Sequence, residues 1–145
     1  MKRIQLLCTL MMTFFATGSW AGTAVGAEFV MIVHPKNPIS ALDRRFLADL
    51  YFKKITHWPQ DGVVQPVDQR VDAAIRQRFS EEILQRSVMG IKSYWQQLIF
   101  SGRGVPPPEL KTDEEVREFV IQNPGSIGYV SGSANLRGVR VIGIK

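Results

Sequence analysis

Asp68, Gln69, Arg70 and Arg76 bring a carboxylate, an amide and two guanidinium groups into one short stretch. Planar guanidinium forks match carboxylate and phosphate oxygens two at a time, so Arg70 and Arg76 have the chemistry to grip a small anion. The same residues also suit an ordinary surface pairing of Asp68 with Arg70, and sequence leaves the two arrangements equal. A second candidate runs from Asn37 to Ser40, between an apolar run and the first helical pattern, where free helix amides attract anions; a plain cap and turn is the simpler role. Arg103, between Gly102 and Gly104, is either part of a connector or a contact for a ligand or, more readily, a partner protein.

Other chemistries lack their parts. His34 and His57 fall in different elements with no cysteine nearby and no carboxylate at metal-ligand spacing, which argues against a zinc site. There is no Gly-x-Ser-x-Gly elbow, no Ser-His-Asp order and no carboxylate pair with a reason to have split pKa values. Trp58, Tyr94 and Trp95 read as core or lid aromatics. The expectation is a protein that is not an enzyme and carries no metal or cofactor.

The elements that must position these residues alternate between strand and helix. Phe29 to Val33 is a continuous apolar run, partly β-branched, suited to a strand buried on both faces. Pro35 and Pro38 stop it. Ser40 is the expected N-cap of a helix from Ala41 to Lys53, with Leu42, Phe46, Leu50 and Tyr51 on one face. Thr56 to Gly62 is turn chemistry around Trp58-Pro59 and Asp61-Gly62. Val63 to Val67 reads as a short strand, and Asp68 to Asp72 as the turn out of it. Ile75, Phe79 and Ile83 mark a second helix ending near Arg86; Tyr94, Trp95, Leu98 and Ile99 mark a third, both with polar opposite faces. Ser101 to Val105 and the three prolines after it form a surface loop. Thr112 and Glu115 make a capping box for a fourth helix. Ile127 to Val130 and Val139 to Ile144 are the last strands. The pattern predicts an α/β fold with a largely parallel sheet flanked by helices.

Composition narrows the setting. Lys2 and Arg3, the mostly apolar stretch from Ile4 to Ala16 and the small residues up to Ala27 make a secretory signal peptide, with cleavage expected before Glu28 and an earlier alternative at Ser19 and Ala21. The apolar stretch is too short, and too interrupted by Gln5, Thr9 and Thr13, for a membrane anchor. Residues 28–145 then make one domain in the periplasm. The chain has 18 Lys and Arg against 13 Asp and Glu, and two of the basic residues leave with the signal. The remaining positive charge is mild and dispersed, which fits a small anionic ligand or plain solubility and argues against nucleic acid. Cys8, the single cysteine, lies within the signal, so the mature part has neither disulfide nor thiol chemistry.

Two strings resemble a known family. Leu50-Tyr51-Phe52-Lys53-Lys54-Ile55-Thr56-His57-Trp58 is similar to the Leu-Phe-x-Gly-Lys-Ile-x-x-Trp segment of the periplasmic phosphate-binding proteins of the phosphate ABC transporter. Asn123-Pro124-Gly125-Ser126-Ile127-Gly128-Tyr129-Val130 is similar to their Pro-Gly-Ala-Ile-Gly-Tyr-Val segment. The order and spacing agree, and the likeness covers most of residues 28–145. It implies a type II periplasmic-binding-protein fold, in which two lobes close on an anion, reduced here to one lobe. In that family an arginine and an Asp-Gly-Ser-Gly-Thr loop follow a Pro-Val pair and hold the anion. After Pro66-Val67 here, the arginine position falls on Gln69 and the Ser-Gly-Thr positions on Ala73, Ala74 and Ile75, so both hydroxyls are gone. Each lost charge-assisted bond is worth about 1.5–3 kcal/mol, and Arg70, one residue away, offsets this only in part.

Two functions follow from these residues. One is a solute-binding module for a phosphate-like anion, using Asn37, Ser40, Asp68, Gln69, Arg70, Arg76 and Arg103. The other is an interaction protein that kept the fold and serves a membrane transporter or sensor. The first requires a donor-lined crevice at the ends of the first two parallel strands; the second requires an exposed apolar patch, for which Trp58 and the Pro106 loop are the candidates.

Overall fold

The computed structural model describes residues 28–145; the expected signal peptide lies outside them. A five-stranded sheet in the order β2-β7-β1-β6-β3 forms the centre. Its strands are β1 (Phe29–Val33), β2 (Ala41–Leu42), β3 (Gln65–Pro66), β6 (Ser126–Ser131) and β7 (Arg140–Ile144). A separate pair, β4 (Asp68–Gln69) and β5 (Glu109–Leu110), runs parallel. The helices are α1 (Arg44–Tyr51), α2 (Ala74–Phe79), α3 (Val88–Phe100) and α4 (Asp113–Gln122), and a π-helical turn at Ser80–Leu84 prolongs α2.

The α/β class and the flanking helices agree with the sequence pattern. The parallel pairings are β2 with β7, β3 with β6 and β4 with β5, but each joins strands only two residues long to a neighbour. β1 is central, as its apolar run requires, yet antiparallel to both β6 and β7. A strand buried on both faces has the same composition whichever way its neighbours run.

That burial splits β1 between two layers, because successive side chains point to opposite faces. Met31 and Val33 join Leu47, Leu50, Phe79, Ile91 and Trp95 in the larger core, while Ile32 joins Val67, Val116, Val120 and Val130 beneath α4. β6 divides in the same way, with Tyr129 stacked on Phe79 at 3.9 Å between ring centroids and 10° between planes. Gly128 faces α4, where a Cβ would come within 2.6 Å of Val116 Cγ1. The absence of a side chain there sets how closely α4 approaches the sheet.

Local boundaries depart from the sequence reading where backbone finds a sheet partner. The first helix starts at Arg44, not Ala41: Ala41–Leu42 pair with β7, and the Ser40 carbonyl accepts from Gly143 N at 2.8 Å. Its N-cap is Asp43, whose Oδ1 accepts from Arg45 N at 2.8 Å and Phe46 N at 3.2 Å, so Ser40 is not the cap. Only Gln65–Pro66 of the second expected strand pair in the central sheet, with Pro66 on an edge strand, where its missing N–H costs nothing. Asp68–Gln69, expected as turn, enter the second sheet. The Thr112 cap is present: its hydroxyl accepts from Glu115 N at 3.1 Å, while Glu115 Oε2 accepts from Lys111 N at 2.8 Å.

Candidate functional site

The chain leaves β3 at Val67 and delivers Asp68 into the interior. There the Asp68 carboxylate pairs with the Arg76 guanidinium, their side chains 5% and 4% exposed. Asp68 Oδ1 also accepts from the Tyr129 hydroxyl and from Gln69 N at 2.9 Å. Burial pushes the Tyr129 phenol well above its usual range, which keeps it protonated and a donor to this carboxylate. Arg76 donates from Nη1 to Gln69 O at 3.4 Å, and its Nε–H has no hydrogen-bond partner. An unpartnered buried donor costs about 1–3 kcal/mol, so this guanidinium is bound firmly on one side and unsatisfied on another.

The neighbouring residues are committed as well. Gln69 is buried and donates from Nε2 to Asp113 Oδ1 at 2.8 Å and to Tyr129 O at 3.1 Å. Arg70 pairs with Asp72 at the surface, and that hydrogen bond holds the Asp72 carboxyl below its ordinary range and raises Arg70 above its own. The open choice of partner for Asp68 is therefore resolved in favour of Arg76. Arg103 is exposed, its Nε donating to Ser101 Oγ at 2.9 Å.

Asn37 and Ser40 lie elsewhere. β3 is parallel to β6 and β1 antiparallel to it, so the chain leaves β1 and β3 at opposite ends of the sheet. The expected single crevice joining Asn37 and Ser40 to the Asp68–Arg76 stretch does not form, because that expectation required β1 and β3 to be parallel. Asn37 Oδ1 accepts from Ile39 N at 3.0 Å and its carbonyl accepts from Arg140 Nη1 at 2.8 Å, a turn-stabilising role. Beside it is a hollow of about 390 Å³ that also meets Trp58, Gln65 and Gly125. Trp58 Nε1 donates to Gly125 O at 3.1 Å, and Trp58 is buried, so it anchors this corner and forms no part of an exposed patch. Ser40 is exposed.

Sequence reasoning missed the second cavity, a groove of about 420 Å³ between α3 and the Pro106–Pro107 segment, with Asp68 and Arg76 also contributing to it. Trp95 and Ile91 are its buried part, while Met89 and Ile99 are exposed on its rim. The signal was in α3 itself: Val88, Met89, Ile91, Tyr94, Trp95, Leu98, Ile99 and Phe100 are more apolar positions than one buried face can take, so the expected polar opposite face is incomplete. Phe100, at the end of α3, is 91% exposed. Among the described residues no cluster of three His, Cys, Asp or Glu is placed to hold a metal, and no helix is long and apolar enough to cross a membrane.

Neither a family model nor a curated protein matches the sequence. Solved structures do match the fold. An ABC-type phosphate transport receptor from Vibrio cholerae superposes with a TM-score of 0.62 at 20% identity, over 80% of this chain and 45% of that one. A putative phosphate ABC transporter substrate-binding protein with bound phosphate from Clostridium perfringens gives 0.64 at 21% identity, over 80% and 44%. PstS from Borrelia burgdorferi gives 0.61 at 15% identity, over 81% and 47%. The chain thus spans less than half the length of these structures, and it has the fold of one lobe of a periplasmic binding protein.

Proposed function

We propose that the chain is an exported, non-enzymatic module of the phosphate-binding-protein type that acts in the periplasm by contacting another protein, such as a membrane transporter or sensor. The observation that carries this reading is the state of the would-be anion loop. Asp68, Arg76 and Gln69 are buried and bonded to one another and to Tyr129 and Asp113, and Ala73, Ala74 and Ile75 offer no hydroxyl. A phosphate would have to break internal bonds to gain external ones. Exposed Ile99 and Phe100 at the end of α3, and Val105 in the loop that follows it, supply instead the apolar surface that protein contact uses. A photo-crosslinker at Phe100 is expected to trap a periplasmic or membrane partner in cells, while one at exposed Glu118 on α4 does not; equal trapping at both positions, or none at Phe100, speaks against the reading.

Capture of a phosphate-like anion is the second reading, favoured by the fold likeness and by the solvent-facing Arg70. Thermal unfolding with phosphate, sulfate and small carboxylates separates the two. A ligand at about 100 times its dissociation constant stabilises by about 2.7 kcal/mol, a shift of several degrees for a domain of this size. The first reading expects no shift. A shift with one anion that disappears in Arg70→Ala establishes the second.

A further inference from the structure

We propose that two copies of this chain pair through α3, laid antiparallel about a two-fold axis. The inference rests on the reading above that the end of α3 is a protein-contact surface, and it names what occupies that surface in the isolated protein. Met89, Lys92, Gln96, Ile99 and Phe100 are exposed and, at about 3.6 residues per turn, fall on one side of the helix. Met89 is 67% exposed, Ile99 51% and Phe100 91%. Val71 lines the groove beside them, and Val105 precedes its Pro106–Pro107 wall. These five are among only seven large apolar side chains left exposed in the described residues, so the apolar exposure is concentrated on this face.

The order of residues along α3 selects a second copy and its direction. Apolar residues stand at both ends of the exposed stripe, with Lys92 and Gln96 between them. Turning the helix about Tyr94 sets Met89 opposite Ile99 of the second copy, Val88 opposite Phe100, and Lys92 opposite Gln96, so apolar meets apolar at each end. A parallel pair instead sets Lys92 against Lys92, a repulsion. Phe100 supplies the knob, and the groove of about 420 Å³ beside Val88 and Met89 supplies the hole, at positions this symmetry superposes. Charge fits as well. Lys92 and Glu109, both lining the groove, have opposite signs, and neither enters an ion pair among the described residues. A two-fold axis that brings Lys92 of one copy to Glu109 of the other makes the same contact twice, whereas a face of one sign would repel its own copy.

The test is sedimentation velocity of the purified protein across about 5–500 µM, a range that spans the dissociation of a small, transient interface. A reversible monomer–dimer equilibrium is expected. Phe100→Glu and Met89→Glu change exposed residues, so circular dichroism should be unchanged while the dimer weakens by about tenfold or more. Lys92→Glu is expected to weaken it too, and adding Glu109→Lys to restore it. A protein that stays monomeric throughout the range overturns the proposal. So does a dimer untouched by Phe100→Glu, or a charge-swapped double variant that associates no better than Lys92→Glu alone. A monomer whose Phe100 crosslinker still traps a membrane partner in cells overturns this inference and leaves the reading beneath it intact. A dimer whose Phe100 crosslinker captures only a second copy supports the inference and removes the transporter or sensor.

Discussion

Arg76 and Asp68 form an ion pair inside the protein, joining the first turns of α2 to the start of β4 with both side chains almost wholly removed from water. A charge pair in such a place is more a constraint on sequence than a source of stability. Burying each ion carries a desolvation cost that their attraction only roughly offsets.

Removing one partner should therefore hurt far more than removing both. Asp68→Ala strands the Arg76 charge and is expected to cost about 3–5 kcal/mol in urea unfolding, whereas the double change Asp68→Leu with Arg76→Met recovers most of that loss. A double variant as unstable as the single one would mean that the pair's hydrogen bonds to Tyr129 and Gln69, not its charge balance, dominate.

Helix α1 offers a direct comparison of two capping assignments. Asp43→Ala removes the acceptor for Arg45 N and Phe46 N and should cost about 1 kcal/mol. Ser40→Ala, at an exposed side chain, should leave the denaturation midpoint within about 0.5 kcal/mol of the parent. The reverse ranking would return the cap to Ser40.

At Gly128 the test is steric. A Cβ there meets Val116 Cγ1 at 2.6 Å and Val67 Cγ1 at 3.0 Å, so Gly128→Ala must push α4 off the sheet and is expected to cost about 1–3 kcal/mol in thermal or chemical unfolding. Adding Val116→Ala should restore part of the loss by vacating the space, a coupling that a double-mutant cycle measures.

Alkaline pH tests the buried phenols. Burial raises both Tyr51 and Tyr129 above the ordinary tyrosine value, outweighing the opposing pull of Arg76. A group whose pKa is higher in the folded than in the unfolded state contributes stability that is complete below the unfolded value and is lost as pH rises above it. Stability should hold up to about pH 10 and fall beyond it. Phenolate absorbance should show these two tyrosines ionising only together with loss of the fold; ionisation in the intact protein would contradict their burial.

Much of the core and several local elements were legible in the sequence. The five apolar residues of β1, the helical spacing of Leu50, Phe79 and Trp95, and the Thr112 cap all follow from side-chain period and short-range hydrogen bonding, which need no distant partner. Ala73 and Ile75, which stand where the resembling family has its two hydroxyls, were equally visible there. The direction of β1 against its neighbours was not, because an apolar strand buried on both faces satisfies parallel and antiparallel ladders alike. That one choice separates Asn37 and Ser40 from the Asp68 region. Tertiary structure also decided that Asp68 belongs to Arg76 and not to Arg70, and that α3 and the prolines leave a groove between them. Pairing between charged residues depends on which side chains lose water together, and a cavity depends on surfaces far apart in the chain that fail to meet.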